Sequence, residues 1–357
     1  MSEQDWMQDA LNNSLQIQNL PEYKFYNGEV SVFYDDAEHT YMRLPREGEG
    51  EQMVIIPGCT TAVHIIDKSA ALMAWTANLC RDYTLLKMEP GRNYTREELE
   101  PLLFEASKHY KDIVETAADI GKMAHNCLEQ TIKHALRFNA GVVEDLVQAP
   151  EHPQSLSCCL AALDWMRKHN VRWVHTERKI YSRKHDFAGT LDGVALVDSC
   201  GYVNCCYRVE EIVNADKGIV TSVRYPDLFV NRLSVIDWKS SNRLYDEYRI
   251  QTAAYEAAIE EELKVDIQDR WVLRLGKDDG EFEPWHIGEE DFELDFNAFL
   301  DCLNLFRNTN SIRTRGVERR AALKAAVKAE KAAAKDAEKA AKKAEKEAIK
   351  AAKKASK

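Results

Sequence analysis

Residues 190–198, TLDGVALVD, and 232–239, RLSVIDWK, followed by 246–263, DEYRIQTAAYEAAIEEEL, decide how this chain is read. The first two are short, rich in β-branched and aliphatic residues, and read as strands; the third carries apolar residues at helical spacing with acids in its first turn. Asp237 and Lys239 stand two apart on their strand, so their side chains share one face. Asp192 lies in GTLDG, read as the start of a strand just after a turn at Gly189, where Gly189 and Gly193 permit close approach. Two carboxylates on adjacent strands supply the oxygen ligands that magnesium or manganese accepts beside water and phosphate. A nearby ammonium can orient a water or offset charge on a phosphate in flight. Duller readings exist for each residue alone: a cross-strand ion pair for Asp237 with Lys239, a surface turn acid for Asp192.

Outward from these strands, 171–182 (VRWVHTERKIYS) reads as another strand, 154–169 as a helix before it, and 97–136 as a long amphipathic helix with Pro101 near its start. Thr60 and Thr61 precede a further helical run through 80. Residues 29–56 alternate apolar and polar like a small antiparallel meander. Downstream, 270–287 reads as a hairpin and 289–307 as a closing helix. The segment 201–231 reads as an insertion, a hairpin turning at Asp216 to Gly218. This organisation divides the chain into a β-rich segment (1–59), a helical segment (60–170), an α/β core (171–316) with a central mixed sheet flanked by helices, and a tail (317–357).

The tail collapses to Ala, Lys and Glu, with high helix propensity and no face to bury. It carries 14 Lys and Arg against six Asp and Glu, a net of +8, so the remaining 316 residues carry –19 of the total –11. Such an acidic body cannot hold nucleic acid by diffuse attraction; local basic patches, bound cations or the tail must do it. The tail itself reads as a solubilising extension, a nonspecific DNA arm or a helix that docks a partner. No run of some 18 uncharged apolar residues occurs and the start, MSEQDWMQD, lacks a basic leader region, so the expectation is a cytoplasmic protein with no membrane segment. Nine cysteines, odd in number and without CxxC spacing, read as reduced buried thiols rather than a disulfide framework or a structural zinc site.

The order Glu177, GTLDG, IDWKSS and QTAAY resembles the PD-(D/E)XK nuclease superfamily, and most closely its RecB-like exonuclease branch. The resemblance is sharp over 171–255 and extends loosely over about 30–308; PGCTTAVHIIDKSAALMAWTAN is similar to segments that precede the core in phage-encoded members. It implies a restriction-endonuclease-like core. It also implies a site in which Asp192, Asp237, Lys239, Gln251 and Tyr255 act, with His125 (from GKMAH), Asp192, Asp237 and the backbone carbonyl of Trp238 holding magnesium, for which manganese substitutes. Glu177 joins the ligands or stands behind them, and Glu129, one helical turn from His125, orients it or is a surface acid. Gln251 and Tyr255 fall at i and i+4 on one helix face, although core packing also accounts for Tyr255. Only Cys302 follows Tyr255, so no iron–sulfur cluster is expected, and the absence of GxxxxGK[ST] leaves no helicase fusion. The implied activity is exonucleolytic hydrolysis of DNA, single strands at least as readily as duplex, in replication, recombination or repair in a host cytoplasm. A replication or recombination protein would be a partner for the tail. A catalytically idle DNA-binding relative and an adaptor acting through the tail are the rival readings.

Overall fold

The computed structural model describes residues 20–49, 52–141, 147–214 and 219–355. The chain clusters into two units, 1–303 and 304–357.

The first unit begins with a four-stranded antiparallel meander: β1 (Glu22–Phe25), β2 (Val30–Asp35), β3 (Thr40–Arg43) and β4 (Val54–Ile56). Phe25, Val32, Tyr41 and Ile56 bury one face of it against Tyr181 and Ala188. It is joined to the core by polar contacts as well: Tyr41 meets the Thr190 hydroxyl at 2.6 Å, and the buried Arg43 guanidinium donates to both carboxylate oxygens of Asp186. The sequence reading began the meander at 29 and missed β1.

Helices α1 (Cys59–Val63) and α2 (Ser69–Lys87) replace the single helix expected after Thr61. The break has a local cause. The Asp67 carboxylate accepts from both the backbone N–H and the hydroxyl of Ser69, an alternative to continued helix that Asp side chains offer readily. Then comes α3 (Arg96–Asn139), 44 residues long, started by a complete capping box between Thr95 and Glu98 and carrying Pro101 in its second turn. Helix α4 (Pro153–Lys168), with proline in its first turn, leads into the main sheet.

That sheet has five strands in the order β11-β10-β9-β6-β5 and is mixed. Strands β5 (Arg172–Ser182) and β6 (Phe187–Val197) form a hairpin, and β9 (Arg232–Lys239) adds antiparallel to β6. The crossover helix α5 (Asp246–Leu263) brings β10 (Asp269–Leu275) parallel to β9, and β11 (Phe282–Gly288) closes the edge. The expectation of an α/β fold with a mixed sheet flanked by helices therefore holds at that level. One face packs Trp165 of α4 against Trp238 and Trp271, with ring centroids 5.7 and 5.4 Å apart. The other packs α1 and α5 onto Leu191, Val194 and Val235. Between β6 and β9 the insertion forms its own two-stranded sheet, β7 (Tyr207–Asn214) with β8 (Ile219–Pro226); the turn expected at Asp216 to Gly218 lies outside the described residues.

The Gly189 turn is a correction. The β5–β6 turn falls at 183–186 and Gly189 is inside β6, opposite Ile180. Its lack of a side chain serves contact instead: a Cβ there would lie 2.9 Å from the Cys59 Sγ and 3.1 Å from the Tyr255 ring. Glycine thus lets α1 and α5 close onto the strand that carries Asp192.

Helix α6 (Phe292–Ala355) begins in the first unit and makes up nearly all of the second. It is continuous through 317, so no break in secondary structure marks the change in composition. In the second unit every side chain from 317 to 332 is exposed, as an Ala/Lys/Glu helix with nothing to bury requires.

Candidate active site

Four elements of the first unit converge where β6 and β9 part. Their ladder ends at Gly193 opposite Ile236, and one step further Asp192 and Asp237 stand on the two diverging strands. The Asp192 carboxylate takes over from the backbone there, accepting the Trp238 N–H at 2.7 Å. Its other oxygen lies 3.4 Å from His125 Nδ1, which α3 supplies. His125 can come this close because Gly121, one turn earlier, lets the helix settle on Ser240; a Cβ at Gly121 would be 2.8 Å from the Ser240 hydroxyl.

Glu177 completes a cluster: one ligand atom each from His125, Glu177 and Asp192 lie within 4.8 Å of one another. Its backbone is unusual. A φ of 47° puts Glu177 in the left-handed region inside a strand, a conformation that costs about 1–3 kcal/mol at a non-glycine residue and that persists where surroundings impose it. Asp237 is not in that cluster. Its carboxylate lies 2.7 Å from Lys239 Nζ, without hydrogen-bond geometry at Oδ2, which is buried and has no other partner among the described residues. Lys239 is also held by Gln251 Oε1 at 3.3 Å and by the face of Tyr248, 4.7 Å to the ring centroid. Gln251 Nε2 in turn donates to the Thr60 hydroxyl at 2.9 Å and to the Tyr255 hydroxyl. Tyr255 is buried in the core beneath, so packing and positioning coincide in it. Glu129 pairs with Lys133 on the same helix.

The electrostatics follow from crowding three carboxylates around few cations. Burial, aided by the charges of Asp192 and Glu129, pushes the Glu177 carboxyl up to about 7. Burial pushes Asp237 up to about 6 even against the Lys239 ammonium, because Asp192 competes for the same charge. Burial acts on Asp192 in the same direction, but His125, Lys239 and the Trp238 N–H outweigh it and hold the carboxyl below the usual range. His125 and Lys239 are both held charged more firmly than usual, burial being overcome by Asp192 for the one and Asp237 for the other. Carboxylates short of positive charge offer the oxygen donors that a hard divalent cation satisfies, and His125 joins them by giving up its proton as the cation binds.

Beside this cluster opens a cleft of about 360 Å³ lined by His125, Trp238, Lys239, Ser240, Tyr248 and Lys277, with Ala117 and Ala118 forming its α3 wall. Lysines line it although the body is strongly acidic. Thr60, Ser240, Tyr248 and Lys277 were not singled out from sequence. Tyr248 stands three residues before Gln251 on α5, so helical spacing carried a usable signal; Lys277, in the β10–β11 turn, had none. No family model matches this chain, and no curated protein is similar to it in sequence.

Proposed function

We propose that this chain is a magnesium-dependent deoxyribonuclease of the PD-(D/E)XK type, with a restriction-endonuclease-like core, that degrades DNA from its ends. The observation that carries the reading is the meeting of Asp192, Asp237, Lys239, Glu177 and His125 from β6, β9, β5 and α3 beside a lysine-lined cleft. Asp192, Asp237 and His125, with Glu177 and the Trp238 carbonyl, would hold the cation; a buried Asp237 Oδ2 whose one partner is the Lys239 ammonium, beside two further carboxylates, fits such an ion. Magnesium or manganese, when bound, polarises the scissile phosphate and lowers the pKa of a water.

The residues divide the remaining work. Lys239 Nζ, held between Asp237, Gln251 and the Tyr248 ring, is placed to orient the attacking water and to offset charge on the phosphate as the bond forms. Gln251, gripped by Thr60 and Tyr255, fixes that ammonium, and a preset donor loses no reorganisation energy at the moment of reaction. Lys277 and His125 give phosphate a local basic lining within a body of net charge –19. Such a body repels duplex broadly, which favours a single strand entering by its end. The choice of DNA over RNA rests on the RecB-like resemblance, as does a role in replication, recombination or repair. An idle DNA-binding relative would be expected to lack one of these groups, and none is missing. An adaptor role for the tail has only its charge in its favour.

The test is incubation of purified protein with equal masses of linear single-stranded, linear duplex and circular single-stranded DNA, with and without magnesium. The expected result is magnesium-dependent loss of both linear forms, the single strand at least as fast, and persistence of the circle. Rapid cutting of the circle overturns the end requirement, and inert linear DNA at every cation concentration overturns the nuclease.

A further inference from the structure

Nine cysteines without CxxC spacing argue against zinc only while sequence neighbours are considered, and the fold brings in a distant one. A ring nitrogen of His169 and the Sγ atoms of Cys200 and Cys205 lie within 4.8 Å of one another. His169, which ends α4, is fully buried, and its ring lies tilted by 30° against Trp165 and edge-on to Trp271, with centroids 5.2 and 4.9 Å away. Its Nδ1 faces the Asp198 carbonyl at 2.9 Å, while the Asp198 N–H donates back to the His169 carbonyl at 2.9 Å. That clamp fixes the tautomer: Nδ1 carries the proton, and Nε2 presents a lone pair. Among the described residues Nε2 has no hydrogen-bond partner at all. A buried ring nitrogen left unsatisfied is costly unless something accepts its lone pair.

The segment that follows Asp198 supplies the other groups. A turn in which Cys205 and Cys206 both donate their N–H to the Tyr202 carbonyl carries the chain back, so Cys200 and Cys205 face the same histidine. Both are partly exposed, which leaves a route for an ion from solvent. Cys206, buried next to Cys205 in the chain and with its thiol 3.7 Å from the Asp227 carbonyl, packs in the same core but stands outside the 4.8 Å group.

We propose that His169, Cys200 and Cys205 form a structural zinc site, with Cys206 completing a Cys₃His set, that pins the base of the β7–β8 insertion to the end of α4. Soft thiolates with one imidazole, whose second nitrogen is tied to a backbone carbonyl, are the donor set zinc prefers over magnesium, and tetrahedral zinc draws such ligands to about 3.5–3.9 Å of one another, a small closure for His169, Cys200 and Cys205 and a side-chain rotation away from the Asp227 carbonyl for Cys206. Each thiol gives its proton to solvent as the metal binds. The site is separate in residues and in chemistry from the Asp192 cluster and does not depend on the nuclease reading.

The experiment is metal analysis of the full chain, purified under reducing conditions without added chelator, with zinc-edge X-ray absorption and cobalt substitution. The expected content is about one zinc per chain with sulfur at about 2.3 Å, and cobalt added to zinc-stripped protein should give a thiolate-to-metal charge-transfer band. Cys200→Ser with Cys205→Ser should lower zinc at least about tenfold, whereas Asp192→Asn should leave it unchanged. Because the cysteine variant could misfold, the wild-type spectra decide. Absence of zinc together with absence of the cobalt band overturns the site, as does zinc held only by oxygen and nitrogen, or an intact mass two hydrogens short that reveals a disulfide.

Discussion

His125 and His169 each sit where a helix meets the five-stranded sheet, yet their surroundings differ in every respect that matters to a cation. His125 has carboxylates for neighbours, is 32% exposed, and borders an open cleft of about 360 Å³. His169 is fully buried between two indoles and has sulfur for neighbours. Oxygen donors at an open site hold a hard cation that exchanges and keeps room for water and phosphate; sulfur donors at a closed one hold a soft cation that stays. One sheet thus offers one cluster suited to chemistry and another suited to holding an insertion in place. Substitutions at either cluster should leave the other's metal untouched.

The largest effects should come from the open cluster. Asp237→Asn, Lys239→Ala and Asp192→Asn are each expected to reduce magnesium-dependent cleavage by about 10²–10³-fold or more, measured as nucleotide release from linear DNA, while Tm moves by only a few degrees and zinc content is unchanged. Near wild-type cleavage by Lys239→Ala would remove the DxK residues from the chemistry. Next in size is His125→Ala, expected to weaken metal affinity about 10–100-fold and to regain part of its activity in excess manganese. An unchanged cation-dependence curve would return His125 to a purely structural place.

Asp237 and Lys239, with Asp192 on the neighbouring strand, were accessible from local pattern, whereas His125, Gln251 and Tyr255 were reached through the resemblance to the nuclease family. Asp237 and Lys239 share a strand face, Gln251 and Tyr255 share a helix face, and period alone brings each pair together. What escaped depends on contacts distant in the chain. Gly189 was read as a turn because glycine marks turns more often than close contacts, and only the approach of Cys59 and Tyr255 reveals its use. Glu177 was placed on a regular strand, and nothing in TERK announces its positive φ. His169 stands 31 residues before Cys200, so the sulfur cluster had no spacing to recognise.

A smaller effect sharpens the contrast through pH. Glu177 and Asp237 titrate near 7 and 6 in the fold, above the ordinary 4.5 and 3.8. A carboxyl raised in this way stabilises the fold at pH below its ordinary value and loses that contribution as pH rises through its folded value. In magnesium-free buffer, Tm should therefore fall by a few degrees between pH 5 and 8, and saturating magnesium, which binds the ionised groups, should abolish much of the fall. Glu177→Gln should flatten the magnesium-free profile, and calorimetry across that range reads both. The smallest effect belongs to the tail. Removing 317–357 takes away a net +8 from a stretch whose side chains are exposed over 317–332. It should leave cleavage of short oligonucleotides intact and weaken binding to long DNA only at low salt. Insolubility or inactivity of that truncation at all salt concentrations would make the tail part of the fold.

The central claim is that the oxygen-rich cluster at His125, Glu177, Asp192 and Asp237 hydrolyses DNA with a hard divalent cation. Its most direct test is acid-soluble nucleotide release from linear DNA by the wild-type chain as magnesium is titrated into metal-depleted buffer. The account predicts release that rises from zero and saturates with magnesium, and that is not supported by zinc alone. Release that is already maximal without magnesium, or none at any magnesium concentration from a folded protein, would contradict it.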